Sequence, residues 1–199
     1  MSATESSGRE AVPRRLAAIL AADVVGFSRL MGADEEGTLA RMMAIRAEVL
    51  TPAISRHGGR VFKTTGDGVL AEFPSVVAAV RCAAEIQVAL PERERDRDPD
   101  SRIVLRIGIN LGDVMVEGDD IYGDGVNMAS RIQSMGVAGA VLLSGKLNDE
   151  LRNHGYLPTV SAGFFDLKNI AHPVEVFAIA SDGLVVPSPH DLAGGRKSP

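Results

Sequence analysis

The fold is decided by the stretch Leu-Ala-Ala-Ile-Leu-Ala-Ala-Asp-Val at residues 16–24. A short, continuous apolar run of this kind is typical of a strand that is buried in the centre of a sheet. The run is interrupted only by Asp23, and a carboxylate at such a position is costly to bury unless another group pairs with it. The apolar neighbours Val24, Val25 and Phe27 argue against a simple turn. We therefore predict a central strand that ends at a functional acid.

A helix and a hairpin are predicted directly after this strand. Acids at residues 34–36 stand where a helix begins, which the helix dipole favours, and apolar residues then recur at helical spacing. Gly58-Gly59 ends that helix. Strand-like segments at 60–64 and 69–73 flank Gly66-Asp67-Gly68, and glycine and aspartate tolerate the backbone angles of a tight turn. The pattern therefore places Asp67 at the tip of a hairpin.

The rest of the chain alternates strands with helices. The predicted elements are a helix at 76–90, a charged loop at 91–100, a strand at 103–110 with a hairpin partner at 114–116 across Gly112-Asp113, a helix at 123–135, a strand at 140–143, a short helix capped by Ser144, and closing strands at 164–167 and 174–179. Because several strands pair as hairpins, this order predicts an α+β domain rather than a purely parallel sheet.

Length and composition limit the classes of protein that the chain can belong to. With 199 residues, 45% of them hydrophobic, we expect one domain at 14–180 between disordered tails at 1–13 and 181–199. A net charge of -5 argues against a nucleic-acid surface, and no apolar run reaches the ~18 residues of a membrane span. The single cysteine, Cys82, excludes an intrachain disulfide, is interpreted as a core residue, and fits a cytoplasmic protein.

Asp23 and Asp67 are the strongest candidates for chemistry. They stand at the ends of adjacent predicted strands, so they could share a hard cation such as Mg²⁺, which carboxylates and substrate phosphates typically hold. For Asp67 alone, a role as a turn former remains open. Other signatures fail, because Phe62 stands where a P-loop needs glycine before Lys63, and the dinucleotide fingerprint is incomplete after Gly125.

Three further segments follow one another along the chain. They are Ala22-Asp23-Val24-Val25-Gly26-Phe27-Ser28, Lys63-Thr64-Thr65-Gly66-Asp67-Gly68 and Asp120-Ile121-Tyr122-Gly123-Asp124-Gly125-Val126-Asn127-Met128-Ala129-Ser130-Arg131. In their order and their distances they resemble the three motifs of class III adenylate and guanylate cyclases. Leu167-Lys168, followed by Pro173 and a strand, resembles the closing segment of that domain. The resemblance covers residues 16–179 and implies a ferredoxin-like βαββαβ core with additional strands, paired head to tail as a homodimer.

The resemblance implies an adenylate cyclase that converts ATP to 3′,5′-cyclic AMP and pyrophosphate. In that family two aspartates, which match Asp23 and Asp67, hold two Mg²⁺ or Mn²⁺ ions, and the carbonyl after the first one, here of Val24, contributes. One ion would activate the ribose 3′ hydroxyl and the other would hold the triphosphate. Backbone amides near Phe27 and Ser28 could meet phosphate oxygens at a helix start.

Lys63 and Asp120 match the pair that selects the base in that family. A lysine can donate to N1 of adenine and a carboxylate can accept from its 6-amino group, whereas guanine presents the opposite pattern. Asp119 is adjacent, and the Asp-Ile-Tyr-Gly string favours Asp120. The alternative activity is that of a guanylate cyclase, in which the family has glutamate and a small residue at these two positions.

Asn127 and Arg131 match the pair that orients the ribose and stabilises charge on the transferring phosphorus. They are four residues apart and share one face of the predicted helix, although Arg131 could instead pair with a nearby acid. Lys168 matches a triphosphate-binding lysine by region and has a structural alternative. In the family, the metal aspartates and the other groups come from different subunits, so a homodimer would build two complete sites. A non-catalytic, nucleotide-binding regulatory domain is the second alternative.

Overall fold

The computed structural model describes residues 13–154, 157–193 and 196–197, so the predicted tail at 1–13 lies almost wholly outside the described residues. The strands in these ranges are β1 (Arg14–Val24), β2 (Arg60–Thr65), β3 (Gly68–Phe73), β4 (Leu105–Glu117), β5 (Asp120–Tyr122), β6 (Val141–Ser144), β7 (Thr159–Phe165), β8 (Val174–Ile179) and β9 (Arg196–Lys197). The helices are α1 (Phe27–Ala33), α2 (Glu35–Ile45), α3 (Thr51–Arg56), α4 (Val76–Glu94), α5 (Asp124–Met135) and α6 (Gly145–Asn153), with a π-helical turn at Arg46–Leu50. None of these helices is long and apolar enough to cross a bilayer.

β1 is the central strand of the amino-terminal half of the sheet. It pairs antiparallel with β3 on one side and with β4 on the other, and β2 completes the order β2-β3-β1-β4. With helices crossing between β1 and β2 and between β3 and β4, this is the βαββαβ unit of a ferredoxin-like core. β6 adds parallel to β4, then β8, β7 and β9 follow outward, while β5 pairs with the end of β4. The predicted α+β class is confirmed.

The apolar run of β1 is continuous because both faces of this strand are covered. Its even-numbered residues, such as Leu20, pack into the main core with α2, α3 and α4. Its odd-numbered residues, such as Ile19, pack on the opposite face against Val126 and Ala129 of α5. Burial on both faces favours an uninterrupted apolar strand. Asp23 is the first charged side chain to follow this buried stretch.

α5 lies close to β4 because two glycines of the strand face the helix. A Cβ atom on Gly108 would stand 2.2 Å from the backbone nitrogen of Gln133, and one on Gly112 would stand 2.8 Å from the Cα of Gly125. Between the two glycines, the buried side chain of Asn110 donates a hydrogen bond of 3.0 Å to the carbonyl of Gly125. Alternate residues of β4 thus form a seam, from Gly108 to Gly112, that holds the helix against the sheet.

This seam explains why the hairpin predicted at Gly112-Asp113 is wrong. β4 runs through these residues without a turn, and Gly112 pairs with Ala17 of β1 while Asp113 pairs with Leu16. Glycine is needed at this position for the approach of α5 rather than for a turn. The chain turns instead at Gly118, whose φ of 60° favours glycine, and returns as β5.

α4 extends through Pro91 into the segment that was predicted as a charged loop. Its last residue, Glu94, is only 2% exposed and accepts hydrogen bonds from Arg41 at 3.4 Å and from the backbone of Ile103 at 3.1 Å. These hydrogen bonds hold the end of α4 against the domain, so part of the charged stretch is packed rather than solvated. The helix continues through Pro91 although proline lacks a backbone N–H for the helical hydrogen bonds.

The segment predicted as a disordered tail at 181–199 lies against the domain where the structure describes it. The backbone of Val185 donates a hydrogen bond of 3.1 Å to the carbonyl of Gly139, and that of Ala193 donates one of 3.0 Å to the last residue of α5. Leu192 is buried in a cluster with residues of α5 and β8. In the described ranges the packed unit therefore extends beyond residue 180.

Cys82 lies in α4 and is fully buried, as expected for a core residue. Burial raises the pKa of its thiol to about 12, and the nearby carboxylate of Glu85 acts in the same direction. Because the thiolate is the reactive form, this thiol is inert at neutral pH.

We expect Gly108→Ala to destabilise the fold. The added methyl group would press on the backbone of α5, which cannot move away without opening the seam. Overpacking of this kind lowers the free energy of unfolding by about 1–3 kcal/mol. Urea denaturation followed by circular dichroism measures the change.

Gly32→Ala in α1 is the matched control for this prediction. No heavy atom lies within 4 Å of a Cβ built at Gly32, so the same substitution there adds only helix propensity. We expect it to raise the free energy of unfolding by up to about 1 kcal/mol. Equal stability of the two variants would contradict the role of Gly108 in the seam.

Candidate active site

Two carboxyl groups meet at one end of the sheet. Asp23 is the penultimate residue of β1, and Asp67 lies in the tight turn between β2 and β3, so the pairing of β1 with β3 brings the two side chains together. The turn is held by Arg46, whose guanidinium donates a hydrogen bond of 2.6 Å to the carbonyl of Gly66. Arg46 begins the π-helical turn that follows α2. Tertiary contacts therefore fix the hairpin tip that carries Asp67.

The two oxygens of Asp23 have different surroundings. Oδ2 accepts a hydrogen bond of 3.1 Å from Arg106, which stands directly opposite on β4, and one of 3.2 Å from the Gln133 amide of α5. Oδ1 is buried and receives no hydrogen bond from an N–H or hydroxyl donor of the described residues. A buried polar atom without a donor calls for an explanation, and a cation bound by Oδ1 would provide one.

The carboxyl groups of Asp23 and Asp67 titrate as a pair. Burial and the adjacent Asp23 carboxylate raise the pKa of Asp67 to about 6. Burial also acts on Asp23, but hydrogen bonding with Asp67 and Arg106 outweighs it, so that the pKa of Asp23 lies below its usual value. Near neutral pH two negative charges therefore face each other, and a cation between them would relieve the repulsion.

This donor set fits a divalent cation with hard oxygen ligands. Mg²⁺ is typically held by one or two protein carboxylates together with substrate phosphates and water. In the described ranges no group of three or more His, Cys, Asp or Glu residues is placed to hold a metal ion. Val24, whose carbonyl is a predicted ligand, is the buried last residue of β1.

Lys63 and Asp120 lie in one cluster with Tyr122. The Lys63 Nζ atom is 5.9 Å from the centre of the Tyr122 ring, and the Tyr122 hydroxyl donates a hydrogen bond of 2.6 Å to Asp120. This hydrogen bond is the main cause of the lowered pKa of Asp120, and the charge of Lys63 acts in the same direction. The pairing of β2 with β3 is irregular between Val61 and Lys63, and such bulges re-aim side chains. In the described contacts Asp120, rather than Asp119, joins the cluster.

α5 carries Asn127 and Arg131 one turn apart. Asn127 is exposed and Arg131 is partly exposed. Neither side chain forms a hydrogen bond or an ion pair within the part of the chain that the structure describes. The structural alternative for Arg131, an ion pair with a nearby acid, is therefore not observed.

The remaining predicted site residues lie at a helix start and in a loop. Phe27 and Ser28 begin α1, where Phe27 packs against the main core and Ser28 is exposed. The first backbone N–H groups of a helix have no partner within it, so they are available to an anion. Lys168 is exposed in the loop between β7 and β8, and among the described side chains it contacts none of the other site residues.

Three residues of these clusters were not predicted as site residues, and two of them carry no signal in the sequence. Arg106 is placed opposite Asp23 by the register of β1 and β4, which is unknown before the strands are paired. Gln133 reaches Asp23 because α5 lies so close to β4. Tyr122 stands inside the third motif, between Asp120 and Arg131, and this position was the available signal.

One protomer thus carries three groups: the Asp23–Asp67 pair, the Lys63–Tyr122–Asp120 cluster, and Asn127 with Arg131. Within the described ranges no side-chain hydrogen bond or ion pair joins these groups to one another. The acid pair can hold a cation, the cluster offers a cation and a hydrogen-bond acceptor, and α5 offers an amide and an unpaired guanidinium.

Known proteins are similar to this chain in sequence and in fold. Residues 11–180 match the family model for the adenylate and guanylate cyclase catalytic domain. The chain is 49% identical over 169 residues to putative adenylate cyclase 3 of Rhizobium meliloti, covering 85% of this chain and 29% of that protein. It is 34% identical over 142 residues to an adenylate cyclase of Streptomyces coelicolor, covering 71% of this chain and 35% of that protein. The chain spans about a third of the length of these relatives.

Solved structures resemble the domain over most of its length. An adenylate/guanylate cyclase/hydrolase from Silicibacter pomeroyi aligns with a TM-score of 0.80 at 43% identity, covering 86% of this chain and all (100%) of that chain. The adenylyl cyclase CyaB from P. aeruginosa aligns with a TM-score of 0.76 at 22% identity, covering 87% of this chain and 97% of that chain, which shows a shared fold. With the family model matched over most of its residues, the chain belongs to the family of adenylate and guanylate cyclase catalytic domains.

Proposed function

We propose that this domain is an adenylate cyclase, which converts ATP to 3′,5′-cyclic AMP and pyrophosphate at sites shared between two copies of the chain. The observation that carries the proposal is the Asp23–Asp67 pair with its unpartnered buried oxygen, in a member of the cyclase family. Relatives named adenylate cyclase support the choice of reaction.

Asp23 and Asp67, with the carbonyl of Val24, would hold two Mg²⁺ or Mn²⁺ ions at the end of β1. The chemistry that bound ions would supply there is activation of the ribose 3′ hydroxyl for attack on the α-phosphorus and neutralisation of the triphosphate. The attack is intramolecular, so holding the 3′ oxygen near the phosphorus supplies much of the rate. Amides at Phe27 and Ser28 would bind phosphate oxygens, and Lys168 is assigned to the triphosphate on its position in the sequence.

Asn127 would orient the ribose, and Arg131 would stabilise the charge that develops on the transferring phosphorus. Both side chains are free of other partners in the described structure, so neither has to break a contact before it meets the substrate. An arginine suits this role because its fixed positive charge is well placed to stabilise charge that develops in the transition state.

Lys63 and Asp120 would select adenine. The lysine donates to the N1 acceptor, and the carboxylate accepts from the 6-amino group. Tyr122 supports both residues, because its ring lies beneath the ammonium group and its hydroxyl binds the carboxylate. The lowered pKa keeps Asp120 ionised as a hydrogen-bond acceptor.

A second copy of the chain would complete each site. Within the described residues no hydrogen bond or ion pair joins the acid pair, the base cluster and the α5 pair. In a head-to-tail dimer the acids of one copy would face the other two groups of its partner. On the α5 side of the sheet, Phe62 and Leu70 are only partly buried and Tyr122 is 42% exposed, which leaves apolar surface for such contacts.

Purified protein incubated with ATP and Mg²⁺ or Mn²⁺ is expected to form cyclic AMP, detected by chromatography. Asp23→Asn removes a ligand charge at nearly constant shape, and we expect it to lower kcat at least about a hundredfold, as loss of transition-state electrostatics does. Asp34→Asn is the matched control, since asparagine also caps a helix and should retain full activity. Absence of cyclic AMP from a confirmed dimer with either metal would refute the proposal.

Lys63→Glu is expected to lower the preference for ATP over GTP. A glutamate cannot donate to N1 of adenine, and one unpaired buried group costs about 1–3 kcal/mol, or about 5- to 150-fold in the ratio of kcat/KM values. The ratio is measured with both nucleotides as competing substrates. Lys146→Glu, the same charge change on an exposed lysine of α6, should leave the ratio unchanged. An unaltered ratio in Lys63→Glu would remove Lys63 from base selection.

Mixing two inactive variants tests whether the sites are shared. Asp23→Ala and Arg131→Ala should each be inactive alone, because every site of either homodimer lacks one group. In an equal mixture, one of the two sites in each mixed dimer is intact, so we expect about a quarter of wild-type activity if subunits exchange randomly in a symmetric dimer. Native mass spectrometry, which resolves the mixed dimer from both homodimers by mass, confirms the exchange. No recovery in exchanged samples would mean that each protomer builds its own site.

A further inference from the structure

Asp23 is tied to α5 by a polar bridge that the reaction outlined above does not use. Its Oδ2 atom accepts a hydrogen bond from Gln133 of α5 at 3.2 Å and one from Arg106 at 3.1 Å. Arg106 also donates a hydrogen bond of 2.9 Å to the carbonyl of Ser134, at the carboxyl-terminal end of the same helix. Both donors therefore reach Asp23 from the side of α5.

The bridge leaves the two carboxylate oxygens with different roles. Oδ2 has two donors, whereas the buried Oδ1 has none among the described N–H and hydroxyl groups. A carboxylate that is held through one oxygen cannot rotate freely, so its other oxygen keeps a fixed direction. Outer partners of this kind orient metal ligands, and their loss typically weakens metal binding by 10–100-fold.

The packing of α5 against β4 fixes the position of Gln133 beside Asp23. Its residue is 6% exposed, and its backbone lies so close to β4 that only glycine fits at Gly108. A buried glutamine amide needs partners, and its N–H donors fit a carboxylate. Close docking of the helix thus brings an uncharged donor to Oδ2 of Asp23, beside the charged donor Arg106.

We propose that Gln133, together with Arg106, is a positioning residue that fixes Oδ2 of Asp23 and so directs Oδ1 towards the divalent cation. This inference rests on the proposed function, since it assumes that Asp23 binds the cation. It adds that α5 has two tasks: its exposed side carries Asn127 and Arg131 for one site of the dimer, while its buried side sets the metal ligand of the other site.

Gln133→Met tests the inference, because methionine has a similar length and no N–H donor. Gln87→Met is the matched control: Gln87 is 1% exposed and donates to the carbonyls of Leu105 and Ala140, and it forms no hydrogen bond with Asp23 or Asp67 in the described residues. Each protein is titrated with MnCl₂ alone, without nucleotide, and its melting temperature is followed by differential scanning fluorimetry.

We expect the Mn²⁺ concentration that gives half of the thermal shift to rise at least about tenfold in Gln133→Met and to stay at the wild-type value in Gln87→Met. Gln133→Met loses one donated hydrogen bond and Gln87→Met loses two, so the melting temperature without metal should fall in both variants and at least as far in the control. In the activity assay, saturating Mn²⁺ should restore much of the kcat of Gln133→Met, because the defect lies in cation binding.

Two results would overturn the inference. An unchanged half-saturating Mn²⁺ concentration in Gln133→Met would show that the bridge does not orient the ligand. An equal rise in Gln87→Met would show that general loosening, and not the bridge, weakens binding. Asp23→Asn separates this failure from failure of the proposed function: if Mn²⁺ stabilises neither the wild type nor this variant, or stabilises both equally, the cation site and the inference fall together.

Discussion

The negative charge of Asp23, at the end of a strand that is buried on both faces, must be compensated by nearby donors or cations. The rest of the site is arranged around this requirement. The strand is apolar because helices cover both sides of it, so water cannot solvate the group fully. Arg106 of β4 and Gln133 of α5 donate hydrogen bonds to Asp23. Asp67, however, adds a second negative charge beside it. The result is a site whose charge is only partly balanced by protein, which is the condition under which a divalent cation binds well.

The parts of the fold that the sequence predicts correctly are those with local causes. The apolar run of β1 and the Gly-Asp-Gly hairpin identify the core strands and both acids, because strand burial and turn geometry depend on adjacent residues. The wrong predictions concern residues whose contacts are with segments far away in the sequence. Gly112 resembles a turn residue in the sequence, but it leaves room for the close approach of α5. Pro91 resembles the end of a helix, but it lies inside α4, which ends at the buried Glu94.

The same distinction applies to the site. Lys63, Asp120, Asn127 and Arg131 stand in recognisable motifs, so a resemblance identifies them before any strand is paired. Arg106 and Gln133 carry no motif, since their role depends on strand register and on helix docking. The seam along β4 therefore belongs to the site as much as to the core. It sets how far a glutamine side chain must extend to meet a carboxylate.

Cys82 has a practical consequence for physical studies of the domain. It is the only cysteine in the chain, and burial with a raised pKa leaves its thiol unavailable to maleimide or methanethiosulfonate reagents in the native state. The natural sequence is thus already a background for spin or fluorescent labels at introduced surface cysteines, with no prior substitution in α4. A single label on an exposed residue would then give one distance between two identical probes, and that distance would report the geometry of any pairing between copies.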